Sequence, residues 1–246
     1  MTDTAVLLCA GGGTRLKPLT DDRPKALVDV GDETILARAV RLLVGAGVRH
    51  LVVATGYRDE AVRAALARAD VRVTFCHNGS YATTQNSVSL HHCAAALEGR
   101  AFFKLDGDLL FHPDVLARLD ADGGALSVAV DRRATLGEEE MKVIAEGSRI
   151  KSFGKHLDPH ASAGESIGIE KLDASAGEKL FRALAEVVRR GRTNLYYEDV
   201  YAELVADGLD ARLVDVSDLP WIEIDTPDDL AAARRSMQSG KLDRSA

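Results

Sequence analysis

A glycine-rich turn near the N-terminus, followed by two cations, is the segment best suited to chemistry. An apolar run at residues 5–10 leads into three glycines at 11–13, and Arg15 and Lys25 follow. Glycines after a strand let backbone N–H groups approach phosphates without interference from Cβ atoms, and fixed cations add attraction for them. The segment is neither a Walker A loop nor GxGxxG. It predicts a triphosphate site, with a flexible turn carrying solvated cations as the alternative.

Two acidic segments lie far apart in the sequence. Asp106 and Asp108 flank a glycine after an apolar run, and Asp225 follows a second apolar run. Near phosphates, Mg²⁺ takes one or two carboxylates, with water and substrate completing its shell. Thr226 is the better helix N-cap before Pro227, which leaves Asp225 available for another role. The pattern predicts a magnesium site, although an Asp-Gly-Asp sequence is also a common solvated turn.

A polar stretch at residues 77–90 is dense in amides and hydroxyls. Such a loop beyond a strand suits recognition of the edge of a nucleotide base. An ordinary surface loop that caps the next helix is the alternative. The candidate base-binding residues are Thr84, Gln85, Asn86 and Ser89.

The second half of the chain carries charged and aromatic side chains that suit a phosphorylated acceptor. A lysine could bind its phosphate, and a glutamate its hydroxyl or ammonium. Aromatic faces beside carboxylates bind quaternary ammonium, at roughly 0.5–2 kcal/mol per contact. Adjacent helix positions diverge, so only one of two neighbouring tyrosines is expected to face the site. Solvated charges and core packing are the alternatives. The candidates are Lys142, Lys155, Glu165, Tyr197, Glu198 and Trp221.

Apolar runs and amphipathic patterns alternate along the first half. Such alternation predicts βαβ crossovers and a mostly parallel sheet, which binds ligands beyond the carboxyl ends of its strands. Strands are predicted at 5–10, 50–55, 71–75 and 101–105, and helices at 34–48, 59–68 and 87–97. In the second half, strands are predicted at 125–130, 141–145, 149–153, 168–172, 213–216 and 221–224, and helices at 174–190, 196–206 and 226–234.

Composition excludes several classes of protein. Among 246 residues the net charge is −7, which argues against a nonspecific nucleic-acid binder. No apolar run approaches the ~20 residues of a membrane span. Three scattered cysteines lack metal-ligand spacing and indicate a reducing cytoplasm. We expect one domain over residues 1–236, with a nucleotide-binding half (1–122), an acceptor-binding half (123–236) and a frayed polar tail (237–246).

The string AGGGTRLKPLTDDRPKALV resembles the signature of the nucleotidyltransferase family that makes nucleotide-activated sugars and alcohols. The resemblance implies a Rossmann-like, three-layer α/β/α core with a small β-rich substrate-binding insertion in the second half. It also implies Mg²⁺ dependence and attack of a substrate phosphate on the α-phosphorus of an NTP, with release of pyrophosphate. Lys25 would stabilise charge at the α-phosphate. The residues that would surround the triphosphate are Ala10, Gly11, Gly12, Gly13, Thr14 and Arg15.

The same resemblance assigns Asp108 and Asp225 to the metal. Asp106 is then expected to contact the nucleotide substrate or to orient water. The polar stretch is similar to that of the CTP-using branch that activates phosphocholine and related compounds, although Gln85 replaces an expected Asn. The sequence therefore predicts a magnesium-dependent cytidylyltransferase, with phosphocholine as the first acceptor and 2-aminoethylphosphonate or inositol 1-phosphate next. It is expected to be a monomer or homodimer, without nucleic-acid or membrane partners.

Two other functions stay open at this point. One is a sugar-1-phosphate nucleotidylyltransferase that uses UTP, GTP or dTTP, because it would share the N-terminal signature. The other is a nucleotide-binding regulatory module without activity. Intact Arg15, Lys25, Asp108 and Asp225 argue against the module, since it would have less need of both metal carboxylates.

Overall fold

The fold of residues 1–243 is described by a computed structural model. The strands are β1 (Thr4–Cys9), β2 (His50–Thr55), β3 (Arg72–His77), β4 (Phe102–Asp106), β5 (Leu109–Phe111), β6 (Leu126–Asp131), β7 (Lys142–Glu146), β8 (Arg149–Gly154), β9 (Gly164–Leu172), β10 (Ala211–Asp215) and β11 (Trp221–Glu223). The α-helices are α1 (Ile35–Gly45), α2 (Asp59–Leu66), α3 (Asn86–His91), α4 (Ala94–Leu97), α5 (Asp114–Ala121), α6 (Ala174–Arg189), α7 (Tyr197–Ala206) and α8 (Pro227–Gln238).

The first half of the chain forms parallel strands joined by helices. Their order is β3-β2-β1-β4, and each neighbouring pair is parallel. Helix α1 begins where the Thr34 side chain accepts a hydrogen bond from the backbone N–H of Ala37 at 3.1 Å. Leu8 of β1 pairs with Asp106 of β4. The glycine-rich turn and the Asp-Gly-Asp segment therefore leave the sheet side by side.

The second half adds antiparallel strands to the same sheet. Strand β9 lies between β4 and β6 and is antiparallel to both, and β7 and β8 form a hairpin. A short turn joins β7 to β8, and such a turn cannot connect parallel strands. The predicted α/β class is confirmed, but the sheet is mixed and the predicted mostly parallel sheet is wrong.

A separate two-stranded sheet lies beside the ends of the main strands. In it β5 and β11 are antiparallel, and Leu109 pairs with Glu223. No element is predicted from the sequence over residues 109–121, where the structure has β5 and α5. The predicted helix 87–97 is divided into α3 and α4, and β9 begins four residues before the predicted start at 168.

Apolar side chains pack on both faces of the main sheet. Neighbouring residues of β1 belong to different cores: Leu7 packs with side chains of α1, α2 and α5, whereas Val6 packs with those of α3, α4, α6 and α7. Adjacent strand residues point to opposite faces, so the two cores lie on opposite sides of the sheet. Within residues 1–243, no helix is both long and apolar enough to cross a lipid bilayer.

A third core lies under the glycine-rich turn. It joins Leu16, Ile224 and Leu230 to Leu242 near the end of the described chain. The predicted tail at 237–246 is therefore anchored in part, since Leu242 is fully buried and its carbonyl accepts a hydrogen bond from the buried Arg38 guanidinium. Residues 244–246 of that tail lie outside the described residues.

We expect Leu230→Ala in α8 to lower the free energy of unfolding by about 2–5 kcal/mol, because the side chain is buried in the third core. Arg235→Ala on the exposed face of α8 is the matched control, with an expected change within about 0.5 kcal/mol. Urea denaturation of both variants measures the difference. Equal stabilities would show that this core does not anchor α8.

Candidate active site

A cavity of about 630 Å³ opens at the carboxyl ends of β1 and β4. One wall is the glycine-rich turn, and the floor includes the end of β4. The opposite wall comes from the loop before β7, the start of β9 and the start of α7. This is the edge of the sheet at which the sequence predicts ligand binding.

Three carboxylates converge at one end of the cavity. Asp108, Glu223 and Asp225 each offer an oxygen, and these oxygens lie within 4.8 Å of one another. The small sheet positions them: Asp108 directly precedes β5, and its carbonyl accepts a hydrogen bond from Ile224 N at 3.0 Å. Asp108 and Asp225 are 117 positions apart, and the structure brings them together as the sequence predicts.

Glu223 is a site residue that the sequence analysis missed. It stands two positions before Asp225 on an extended segment, so both side chains point to the same side. This spacing of two positions from Asp225 could have identified Glu223 from the sequence. Burial, together with repulsion from Asp108 and Asp225, raises the pKa of Glu223 to about 8.

Two cations neutralise this acidic cluster. Lys25 Nζ lies 2.6 Å from a carboxylate oxygen of Asp108 and 2.6 Å from one of Asp225. Arg15 contacts the other oxygen of Asp225, also at 2.6 Å. Burial disfavours the charged form of Lys25, but attraction to the two aspartates outweighs it and raises the pKa of the lysine.

The acidic cluster fits a hard divalent cation. Its donors are carboxylate oxygens, which is the ligand type that Mg²⁺ takes. One oxygen of Asp108, Oδ1, is buried and has no hydrogen-bond partner among the described residues. A buried carboxylate oxygen without a partner is costly unless a ligand completes it. Asp108, Glu223 and Asp225 are therefore the residues that would hold a metal.

The glycine-rich turn exposes only part of its predicted set to the cavity. Gly11, Gly13, Thr14 and Arg15 line it, whereas Ala10 and Gly12 do not. Both of the latter lie against Tyr57: its backbone N–H donates to the Ala10 carbonyl at 3.0 Å, and its ring lies 3.7 Å from where a Cβ of Gly12 would be.

The glycine of the Asp-Gly-Asp segment is required by close packing. A Cβ on Gly107 would lie 2.5 Å from the carbonyl oxygen of Leu8 and 2.9 Å from Cys9 Sγ. This close contact between β1 and β4 lets the aspartates on either side of Gly107 reach the cavity, so the segment is not a freely solvated turn.

The predicted base-binding residues are divided by the structure. Gln85 and Asn86 line the cavity, and Thr84 and Ser89 do not. Both hydroxyls accept hydrogen bonds from the buried Asn78 side chain, at 3.1 and 3.0 Å. Thr84 and Ser89 therefore hold the loop in place. Of the two lining residues, Asn86 also accepts a hydrogen bond through its side-chain oxygen from the backbone N–H of Tyr197, at 3.0 Å.

The predicted acceptor residues are also divided. Lys155, Glu165 and Glu198 line the cavity. Lys142 does not: it is buried and donates hydrogen bonds to the carbonyls of Glu140 and Lys155, at 3.2 and 2.6 Å. A lysine on the inner side of β7 is thus a structural ammonium that binds backbone carbonyls.

Neither of the two aromatic candidates lines the cavity. Tyr197 is fully buried, and its hydroxyl donates to Asp106 at 2.8 Å. Trp221 donates its indole N–H to Asp131 at 3.0 Å. The neighbouring Tyr196 lines the cavity instead, with the Lys155 ammonium 5.2 Å from its ring centroid. Tyr196 precedes the first residue of α7, so it projects differently from Tyr197.

Acidic side chains dominate the wall of the cavity formed by the starts of β9 and α7. Burial, with repulsion from Glu140 and Asp131, raises the pKa of Glu165 to about 7. Burial is also the main reason why the pKa of Glu198 rises to about 8. Asp106 lies on the same side, at the end of β4. Together these groups form a negatively polarised wall that suits a cationic or hydrogen-bond-donating group.

The sequence model of a known family, the MobA-like NTP transferase domain, matches residues 5–138. The chain belongs to this family. The match covers the glycine-rich turn, Lys25 and Asp108, and all of these contribute to the lining of the cavity. The remaining carboxylates, Glu223 and Asp225, come from the segment beyond the match.

Two curated relatives of this MobA-like domain match most of the chain. The CMP-5'-(3-aminopropyl)phosphonate synthase of Streptomyces rubellomurinus is 34% identical over 92% of the chain and 37% of its own length. The bifunctional IPC transferase and DIPP synthase of Aquifex aeolicus is 29% identical over 96% of the chain and 52% of its own length. The chain thus spans only part of these relatives.

A solved structure shows the same fold. The inositol-1-phosphate CTP transferase from T. maritima superimposes with a TM-score of 0.82, covering 97% of both chains at 23% identity. The mixed sheet and its flanking helices are therefore the architecture of nucleotidyltransferase structures.

We expect Gly13→Ala to destabilise the protein, because Gly13 has a φ of 60° and an added Cβ would lie 2.8 Å from Lys25 Cβ. The left-handed backbone alone costs about 1–2 kcal/mol, and displacement of Lys25 adds to it. Gly11→Ala is the matched control, since its Cβ would meet nothing within 4 Å. Thermal unfolding of both variants tests this expectation, and equal midpoints would contradict it.

Proposed function

We propose that the protein is a cytidylyltransferase, which transfers CMP from CTP to a small acceptor bearing a phosphate or phosphonate and releases pyrophosphate. One observation carries the proposal. The carboxylates of Asp108, Glu223 and Asp225 meet Arg15 and Lys25 beside the glycine-rich turn, at the carboxyl ends of two parallel strands. Such an arrangement supplies metal ligands, cations and backbone donors for one polyphosphate.

In the proposed reaction, an oxygen of the acceptor attacks the α-phosphorus, and the bond from the α-phosphorus to the bridging oxygen breaks. Pyrophosphate leaves with that electron pair. The attacking oxygen is already anionic near neutral pH, so no general base is required. Catalysis then consists of positioning and charge stabilisation. The bound Mg²⁺ would neutralise phosphate charge.

Each part of the chain has a proposed role. Backbone donors of the glycine-rich turn and Arg15 bind the triphosphate, and Lys25 stabilises charge that develops at the α-phosphate. Gln85 and Asn86 read the cytosine edge. Residues 1–122 act as a Rossmann-like nucleotide-binding half, and residues 123–236 supply the acceptor wall. The choice of CTP is supported by the names of two similar proteins, one of which includes CMP and the other CTP.

For the acceptor, we propose an aminoalkylphosphonate ahead of phosphocholine or inositol 1-phosphate. A quaternary ammonium is bound by several aromatic faces. Of the three aromatic residues Tyr196, Tyr197 and Trp221, however, Tyr196 alone lines the cavity. Carboxylates of Glu165 and Glu198 instead suit the N–H donors of a primary ammonium. The name of the S. rubellomurinus relative supports this choice, and Lys155 would bind the phosphonate.

A pyrophosphate-release assay tests the proposal. Each of CTP, UTP, GTP and dTTP is combined with 2-aminoethylphosphonate, 3-aminopropylphosphonate, phosphocholine, inositol 1-phosphate or glucose 1-phosphate. We expect CTP with an aminoalkylphosphonate to give the highest kcat/KM, by at least tenfold. The highest value with glucose 1-phosphate and another NTP would establish a sugar-1-phosphate nucleotidylyltransferase, and no release with any pair would support a regulatory module.

We expect kcat/KM for an aminoalkylphosphonate to rise with pH between about 6 and 8.5. The pKa values of Glu165 and Glu198 are raised to about 7 and about 8, so both are protonated at low pH and become anions that bind ammonium as pH rises. Ethylphosphonate, which has no ammonium, is the control. Its phosphonate loses the second proton at higher pH than that of an aminoalkylphosphonate, so the two slopes are compared after correction for the dianion fraction of each acceptor. The same pH slope for both acceptors would exclude these glutamates from ammonium binding.

We expect Asp108→Asn and Glu223→Gln each to weaken binding of Mn²⁺, used as a probe for Mg²⁺, by at least tenfold in calorimetric titration. Each substitution removes one anionic ligand from the cluster. Turnover should fall by at least 100-fold in Asp108→Asn. Glu203→Gln, at an exposed carboxylate paired with Arg192, is the control and should bind Mn²⁺ as the wild type does. Unchanged binding in either cluster variant would remove that residue from the metal site.

A further inference from the structure

Tyr57 lies in the connection between β2 and α2 and packs against the glycine-rich turn. Its backbone N–H donates to the Ala10 carbonyl, and its ring lies 3.7 Å from where a Cβ of Gly12 would be. Its hydroxyl donates to the Asp21 carbonyl at 2.6 Å and lies 3.2 Å from the carbonyl oxygen of Thr20. The proposed reaction does not use this tyrosine, and it does not line the cavity.

These contacts tie together the two ends of the segment 10–21, which contains the glycine-rich turn. Tyr57 bonds to the first residue of the segment through its backbone and to the last through its hydroxyl. Between them, the fully buried Thr20 donates through its side chain to the Gly13 carbonyl at 2.7 Å. A loop that is ordered before its ligand arrives loses less conformational entropy on binding.

The connection that carries Tyr57 is tightly packed and strained. A Cβ on Gly56 would lie 2.7 Å from the Ala10 carbonyl oxygen and 2.7 Å from the Cβ of Tyr81. Arg58 has a φ of 50°, and among residues 1–243 it is the one non-glycine residue with a positive φ. A side chain persists in this left-handed region only where its surroundings determine the backbone conformation. The packing therefore fixes the place of Tyr57 against the turn.

We propose that Tyr57 is a positioning residue for the triphosphate, which holds the glycine-rich turn in the conformation that lines the cavity and so sets the affinity for the nucleotide. This inference rests on the proposed function. Tyr57 does not touch the nucleotide in this scheme and acts through the backbone of Gly12 and of the segment ends. The turn adopts the same conformation around the bound nucleotide with or without the tyrosine. Loss of Tyr57 therefore weakens nucleotide binding without slowing the chemical step.

The first test compares the steady-state kinetics of Tyr57→Phe, Tyr57→Leu and the wild type, with the NTP and acceptor that give the wild type its highest kcat/KM. Phenylalanine keeps the ring against Gly12 and removes the hydroxyl, whereas leucine removes both. We expect KM for the NTP to rise at least about threefold with phenylalanine and about 30-fold with leucine. The kcat and the KM for the acceptor should stay within about twofold of the wild type. An unchanged KM for the NTP in Tyr57→Leu, or a loss confined to kcat, would overturn the inference.

Tyr81→Phe is the matched control. The rings of Tyr57 and Tyr81 are neighbours, with centroids 6.3 Å apart, but the hydroxyl that bonds to the segment 10–21 belongs to Tyr57. We expect the kinetic constants of Tyr81→Phe to stay within about twofold of the wild type. An equal rise in KM for the NTP in Tyr81→Phe and Tyr57→Phe would show a general effect of this aromatic pair and would exclude the specific role of the Tyr57 hydroxyl.

Calorimetric titration with magnesium tripolyphosphate guards against misfolding and separates phosphate binding from recognition of the base. We expect Tyr57→Phe to raise the Kd of tripolyphosphate at least about threefold. Its melting temperature should stay within about 4 °C of the wild type, since one hydrogen bond is lost. Equal Kd values for the two proteins would show that Tyr57 does not position the turn for phosphate.

The failure of this inference can be told apart from failure of the proposed function. The proposed function fails if the wild type releases no pyrophosphate from CTP with any acceptor. The inference fails if the wild type is active but Tyr57→Leu keeps the wild-type KM for the NTP.

Discussion

Repulsion between like charges is the constraint on which this structure depends. Asp108, Glu223 and Asp225 hold carboxylate oxygens within 4.8 Å of one another, and such groups separate or protonate unless something opposes them. Lys25 and Arg15 supply the opposing charge. The small sheet of β5 and β11 supplies the structural restraint, because the register of its hydrogen-bonded strands fixes where the two acidic segments can lie.

That restraint is held in turn by the third core. Leu16 follows the glycine-rich turn, Leu110 follows Asp108, and Ile224 separates the other two acids, and all three are buried in this one core. Each segment that lines this end of the cavity therefore has an apolar anchor within three positions. Moving any of these anchors would leave a void in the core, and the free-energy cost of that void preserves the geometry of the polar site. A loop held only by polar contacts would lack this protection.

The sequence predicts best where the pattern is strong and local. The buried strands and the glycine-rich turn are evident from short apolar runs and their flanking residues, and so is the meeting of Asp108 with Asp225 once a nucleotidyltransferase is suspected. The orientation of single side chains is harder. Lys142, Tyr197 and Trp221 carry suitable chemistry, but each binds a partner distant in sequence and faces away from the cavity.

Dependence on contacts distant in sequence also explains why the mostly parallel sheet was predicted wrongly. Parallel pairing follows from helical crossovers that the sequence displays, whereas the place of β9 between β4 and β6 depends on long-range pairing with no local signal. The buried ion pair of Lys104 with Glu170 is equally hidden, because a charged residue in a strand is ordinarily expected to be solvated.

The position of β9 has a consequence for how such proteins diversify. One edge of β9 is bound to β4, which ends at Asp106 beside the acidic cluster, and its other edge and its first residues join β6 and β7 on the opposite side of the cavity. Residues of the β7–β8 hairpin and the loop before it can therefore be exchanged without shifting β4. In the proposed enzyme, a different acceptor could be accommodated by changes on this side alone, with the residues proposed to bind the nucleotide left unchanged.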